Sequence, residues 1–439
     1  MSEKRSRREG LKSLAIVLLS VSAVLLLGKT GLYSQLMAAV PAVEQAVDKL
    51  GGISGDKTGQ TELGEQGLTW SAGTVSIAVL GESGSRYAAK YDSDDIEYMY
   101  SRYSDYLGEA LGSAGAPREM TEDAWREALL SPGVYFDFYY DQDLSLLARR
   151  LGTQAGENAA GYEARSLCLY RDGDGLSLCF MDTQGRKTAC ATALSFASIS
   201  EKLSGYAGNV AVFAFQNDSL EGVYPYSLIL DSMPEISSAQ AANPFRTGLT
   251  GEEILGTFGI NSYMANAYTE ADGTLVYVDG GGILRIDPYG TVSYRNAGGD
   301  GMAVAAPSGE MDMYAAVSGA LKLVKASAGA RCGDAELILT DAVYNSAVDT
   351  YTVCFEYALD GIAVRAETSP AAEVQIRAGR ITSAVVTYRQ YTLTGEPASP
   401  LPERQAAAIV GVRGGGEPVL TYMDTAQGLS LEWRIGRVE

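Results

Sequence analysis

Five cysteines and 54 acidic side chains are the reactive groups this 439-residue chain offers, and it contains no histidine. The absence of imidazole removes Ser-His-Asp and Cys-His nucleophile systems, His-ligated zinc and histidine-based pH switching. It also removes histidine phosphorylation on this chain. The cysteines are Cys168, Cys179, Cys190, Cys332 and Cys354, and no C-x-x-C pair occurs among them. An odd count allows two disulfides at most. Buried, unpaired core thiols are the simpler reading.

The short motifs fail on their chemistry. Gly28-Lys29-Thr30 resembles the end of a phosphate loop, but Ala23 stands where that loop needs glycine. Ser54-Gly-Asp-Lys57 has Ser-x-x-Lys spacing, without a helix to hold the lysine near the serine and without the companion motifs. Gly81-Glu-Ser-Gly-Ser85 does not fit a nucleophile elbow. Asp172-Gly-Asp-Gly175 lacks the later ligands of a calcium loop and reads as a hairpin turn. Asp92-Ser-Asp-Asp95 reads as a helix start. No spacing selects a carboxylate pair for glycosidase chemistry. The sequence nominates no catalytic, cofactor-binding or metal-binding residue, and the chain reads as a binding or regulatory protein. A net charge of -20 argues against nucleic acid as a partner.

The charge is unevenly placed. Lys4, Arg5, Arg7, Arg8 and Lys12 precede an apolar run from Leu14 to Leu27. The run, extended from Leu11 through Tyr33, is long enough to cross about 30 Å of hydrocarbon. The basic flank predicts a cytoplasmic N-terminus and an extracytoplasmic remainder. A cleaved signal peptide is the rival reading, with Ala38-Ala39-Val40 as a weak cleavage site. Ser20, Ser22 and Ala23 would allow close helix–helix approach within the span. The expected organisation is a basic tail (1–12), a transmembrane helix (13–33), a Gly-rich stalk (34–72), an N-terminal extracytoplasmic α/β domain (73–232), a middle α+β domain (233–308) and a C-terminal α+β domain (309–439).

Beyond the stalk, Thr74–Leu80 alternates as a strand and Val134–Tyr140 is rich in β-formers. Ile96, Met99, Tyr100, Tyr103, Leu107 and Leu111 recur at helical spacing behind Asp92 and Ser93, the two N-cap candidates, and Thr121 starts a second helix. Leu167–Tyr170 and Leu176–Phe180 flank a turn, so that Cys168 and Cys179 could face each other. Met233–Gly251 reads as a connector. A helix over Met311–Ala326, the Asp360-Gly361 tight turn and a short helix from Pro402 to Val410 punctuate the strands that follow. The predicted fold class is α+β, with antiparallel sheets and helices on one face, in PepSY-like units.

Several of these runs resemble the YycH/YycI group of membrane-anchored regulators. Ile283-Leu-Arg-Ile-Asp-Pro-Tyr-Gly-Thr-Val-Ser-Tyr294 is similar to that family's "LRIYPNG"-like hairpin. Cys354–Val364 resembles its strand-turn-strand ending in "NGIPV", Glu373–Ile381 the hairpin after it, and Leu431-Glu-Trp-Arg-Ile435 its "WRI"-like closing strand. The resemblance covers about 225–439 best and is loose over 74–224. It implies a non-enzymatic regulator associated with a WalK-like membrane sensor histidine kinase, and with a paralogous accessory regulator, in cell-envelope homeostasis. It implies no cofactor. The alternative is a cell-surface binding or inhibitory module for a peptide, glycan or envelope enzyme, using exposed sheet edges.

Overall fold

The computed structural model describes residues 73–437, apart from 183, 297, 299–300, 307–309 and 367–369. Strands β1 (Thr74–Leu80), β2 (Arg86–Lys90), β3 (Arg118–Glu119), β4 (Gly133–Asp143), β5 (Glu163–Asp172), β6 (Gly175–Met181) and β7 (Lys187–Ser195) form a seven-stranded antiparallel sheet in the order β2-β1-β4-β5-β6-β7-β3. Four helices accompany them: α1 (Ser93–Gly112), α2 (Glu122–Leu129), α3 (Leu144–Arg150) and α4 (Ala197–Leu203).

Both faces of this sheet are buried. Successive strand residues point to opposite faces, and β4 shows it: Val134, Phe136 and Phe138 enter one core, while Tyr135 enters another. Helices α1, α3 and α4 close the first core. In α1 the buried Ile96, Met99, Tyr103, Leu107 and Leu111 form one stripe, and Asp92 caps the helix by accepting from the Asp95 N–H. Helix α2 lies on the opposite face, because its Trp125, Ala128 and Leu129 pack with Tyr135 and Cys168. The helices of this sheet are therefore not confined to one side.

The chain continues through β8 (Val212–Phe213), β9 (Leu228–Ile229), β10 (Ser237–Ala242), α5 (Pro244–Thr247) and α6 (Gly251–Leu255). It then forms β11 (Asn266–Thr269), β12 (Leu275–Asp279), β13 (Gly282–Ile286), β14 (Thr291–Asn296) and β15 (Met302–Ala303). After α7 (Met313–Ala326) come β16 (Ala335–Asn345), β17 (Thr350–Leu359), β18 (Ile362–Ala366), β19 (Ala372–Arg377), β20 (Arg380–Thr387) and β21 (Gln390–Pro397). Helix α8 (Glu403–Val412), β22 (Pro418–Thr425) and β23 (Gly428–Ile435) complete the described chain. Twelve of these strands make one sheet, ordered β11-β12-β13-β14-β20-β19-β17-β18-β22-β23, with β15 on β20 and β16 on β17. All its pairs are antiparallel except β18–β22. The remaining strands form two small ribbons, β8–β9 and β10–β21. Helix α7, capped by Asp312, buries Val317, Leu321 and Val324 against the inner face of the large sheet.

The β17–β18 turn shows how the two sheets meet. Asp360 (φ 51°) and Gly361 (φ 72°) take the left-handed conformations of a two-residue hairpin turn. A Cβ on Gly361 would lie 3.1 Å from Ile96 Cδ1, so glycine also permits the close approach to α1. Asp360 Oδ1 accepts from the Ser93 N–H at 3.2 Å.

Candidate interaction surface

Over the strands from β11 to β20 the large sheet has one face in the core and one that is largely exposed, whereas at the other end Ile338, Glu356, Ala358 and Ala363 of the same outer face are buried. The register carries Tyr277, Leu284, Tyr294, Ala384, Val374 and Val353 across five neighbouring strand pairs on the inner face, and all six are buried. One residue away, Tyr268, Val276, Arg285, Ser293, Val385, Glu373 and Cys354 form the other row, in which Val276 is fully buried. A second outer row runs Val278, Ile283, Arg295, Ser383, Gln375, Thr352 and Val343. Tyr268, Ile283, Val385 and Val343 are exposed there among polar neighbours.

The free edge extends it. All four residues of β11 are exposed, and the strand carries no charge, proline or bulge to discourage pairing. Tyr263, just before it, is 96% exposed, and Met264 is exposed beside it. The edge strand β23 differs, since Glu432 and Arg434 stand on it.

Ionic and aromatic groups fill the seam between the two sheets. The Arg437 guanidinium donates to both Asp137 oxygens at 2.9 Å and, through Nε, to Glu417 Oε2 at 2.9 Å. Ser166 Oγ donates to Asp137 at 2.8 Å. Arg165 stands 3.5 Å from Glu417, and Arg437 also lies over the Tyr224 ring. Burial alone would raise the Glu417 carboxyl, but Arg437 and Arg165 outweigh it and hold it at about 2. A second knot centres on Glu403 in the first turn of α8. Its carboxylate accepts from Lys90 Nζ at 2.6 Å, the Tyr91 hydroxyl at 2.8 Å and the Leu230 N–H at 2.9 Å. The Arg437 guanidinium thus bridges the Asp137 and Glu417 carboxylates.

The Cys332 and Cys354 thiols are poor nucleophiles. Burial raises Cys332 to about 11, and burial with the nearby Glu373 and Asp341 raises Cys354 to about 12. All five cysteines are free, and Cys168 stands directly opposite Cys179 on adjacent strands. Among the described residues, no group of three or more Cys, Asp or Glu side chains could hold a metal ion. Asp172–Gly175 is the β5–β6 turn, and Asp92 is the cap of α1. The topology residues Lys4, Arg5, Arg7, Arg8, Lys12, Leu14 and Leu27, and the contact residues Ser20, Ser22 and Ala23, lie outside the described residues. No described helix is long and apolar enough to cross a membrane.

Sequence reasoning did not nominate the seam residues. Asp137 and Arg437 are 300 positions apart, and no local pattern links them. Alternation along β13 and β20 did carry a signal for the outer rows.

No family model matches the sequence, and no curated protein matches it. Among solved structures, the crystal structure of YycH from Bacillus subtilis is similar over 83% of this chain and 93% of that chain, with a TM-score of 0.51 and 9% sequence identity. The chain has a YycH-like fold.

Proposed function

We propose that the chain is a non-enzymatic, single-span membrane-anchored regulator. Its folded part stands outside the cell membrane and associates with a WalK-like sensor histidine kinase. The observation that carries this reading is the YycH-like fold over 83% of the chain. The basic-flanked apolar run at Leu14–Leu27 supports the anchor and its orientation. The kinase's spans would meet the anchor helix through Ser20, Ser22 and Ala23, and a paralogous accessory regulator is a second candidate partner. Regulation then requires that the outer domains contact the kinase's two states unequally. The test is crosslinking of the tagged full-length chain in its native host, followed by identification of the co-purifying membrane proteins. Recovery of a multi-span kinase, lost when Leu14–Leu27 is replaced by an unrelated span, supports the reading. Undiminished recovery after the swap removes the helix-packing part.

A second reading, a cell-surface binding or inhibitory module, draws on the uncharged free edge of β11. Capture of an envelope peptide, glycan or enzyme by residues 73–439 alone, abolished by a proline at Ala267, would favour it.

A further inference from the structure

We propose that Cys168 and Cys179 are a redox modification site that closes into a reversible cross-strand disulfide. The two residues are direct partners in the β5–β6 register. Directly opposed residues on antiparallel strands have Cα atoms about 4.5–5.5 Å apart. A disulfide spans about 4.4–6.8 Å between Cα atoms, a range that contains this separation, and closing it requires the Cβ atoms to draw in from about 4.5–5.5 Å to about 3.5–4.5 Å. The register is well fixed, because the hairpin is closed two residues wide between Asp172 and Gly175, with Gly173 at φ 64°. Both side chains share one face of the first sheet and one core, beneath α2.

The other thiols have no such partner. Cys190 is opposed by Leu178 and belongs to the core on the other face. Cys332 donates to the Gly329 and Ala335 carbonyls. Cys354 stands between Glu373 and Asp341.

The step is thiol–disulfide exchange with a disulfide-bearing oxidant. One thiolate of the pair attacks a sulfur of the oxidant, whose S–S bond breaks and releases one thiolate. The second cysteine gives up its proton and attacks the mixed disulfide. The intramolecular S–S bond forms and the second oxidant thiolate leaves. Two thiols are oxidised, one disulfide is reduced, and two protons pass to the released thiolates. Burial, with Cys168 beside it, pushes the Cys179 thiol well above its ordinary value, so the exchange is slow while both sulfurs stay covered. The Ala128 carbonyl of α2 lies 4.0 Å from the Cys168 sulfur and is part of that cover.

The test uses the full chain incubated with oxidised glutathione, then denatured, alkylated and digested with trypsin. The peptides Ser166–Arg171 and Asp172–Arg186 each carry one cysteine of the pair. The expected product joins these two peptides, is lost on reduction, and survives in the Cys190→Ser, Cys332→Ser, Cys354→Ser variant. Oxidation should also raise the Tm by a few degrees reversibly. Both thiols fully alkylated after oxidation would overturn the proposal. So would a persistent glutathione adduct on one cysteine, or linkage of either to Cys190. Peptide mapping of the unmutated chain decides the question if the triple variant does not fold.

Discussion

The two sheets share an antiparallel construction and differ in what covers them. In the first, neighbouring residues Tyr135 and Phe136 point in opposite directions and both are buried, one in the seam and the other under α1, α3 and α4. In the second, neighbouring Val385 and Val386 also point in opposite directions, but only Val386 is in the core and Val385 is exposed. A sheet buried on both faces offers a partner little beyond its loops. A sheet with one open face offers two rows of side chains and a free edge. The difference is one of accessibility: the first sheet is covered on both faces, and the second leaves part of one face exposed.

That contrast can be broken at four strengths. Tyr135→Ala and Phe136→Ala should each cost about 3–5 kcal/mol, because each removes a buried ring. Chemical denaturation of both variants checks this, and tolerance of either would mean that one face of the first sheet is open after all. The pH dependence of the seam comes next. Glu417 is held at about 2 against an ordinary 4.5. Its folded-state value is depressed, so its contribution is present above about pH 4.5 and is lost as the pH falls toward about 2, on the order of 3 kcal/mol in all. Urea midpoints measured across that range should fall for the native chain and fall less for Glu417→Gln. Asp92→Ala removes the cap of α1 and should cost about 1 kcal/mol, read as faster amide exchange in the first turn. The smallest effect sharpens the comparison most. Val385→Lys should change stability by less than about 0.5 kcal/mol, and the same change at Val386 should unfold the sheet. If Val385→Lys also leaves kinase co-purification untouched, the open face is not the docking surface.

Much of the fold was legible because its signals are local. Asp92 and Thr121 sit where caps are needed, Asp360-Gly361 is a turn by composition, and the apolar spacing in α1 and α7 is helical. Strand β10 was not legible. It lies inside the stretch read as a connector, since Ser-Ser-Ala-Gln-Ala-Ala has little β-propensity and is ordered by pairing with β21. The position of α2 was also hidden. Its stripe announces a helix, and only the tertiary structure decides which face of the sheet it covers. The seam was invisible for a stronger reason. Lys90 and Glu403 are 313 residues apart, and a lone charge in sequence carries no sign of its partner. The YycH/YycI resemblance rested on turns and strand ends, and the structural likeness is one of fold, at 9% sequence identity.

The 300-residue separation of Asp137 from Arg437 also sets a timetable. At about 5–20 residues per second, roughly 15–60 s of synthesis separate the two. The helix-covered core of the first sheet can form early in that interval, while Asp137 waits for an ionic partner not yet made. The buried Asp137 carboxylate therefore gains its cation only when almost the whole chain has been made.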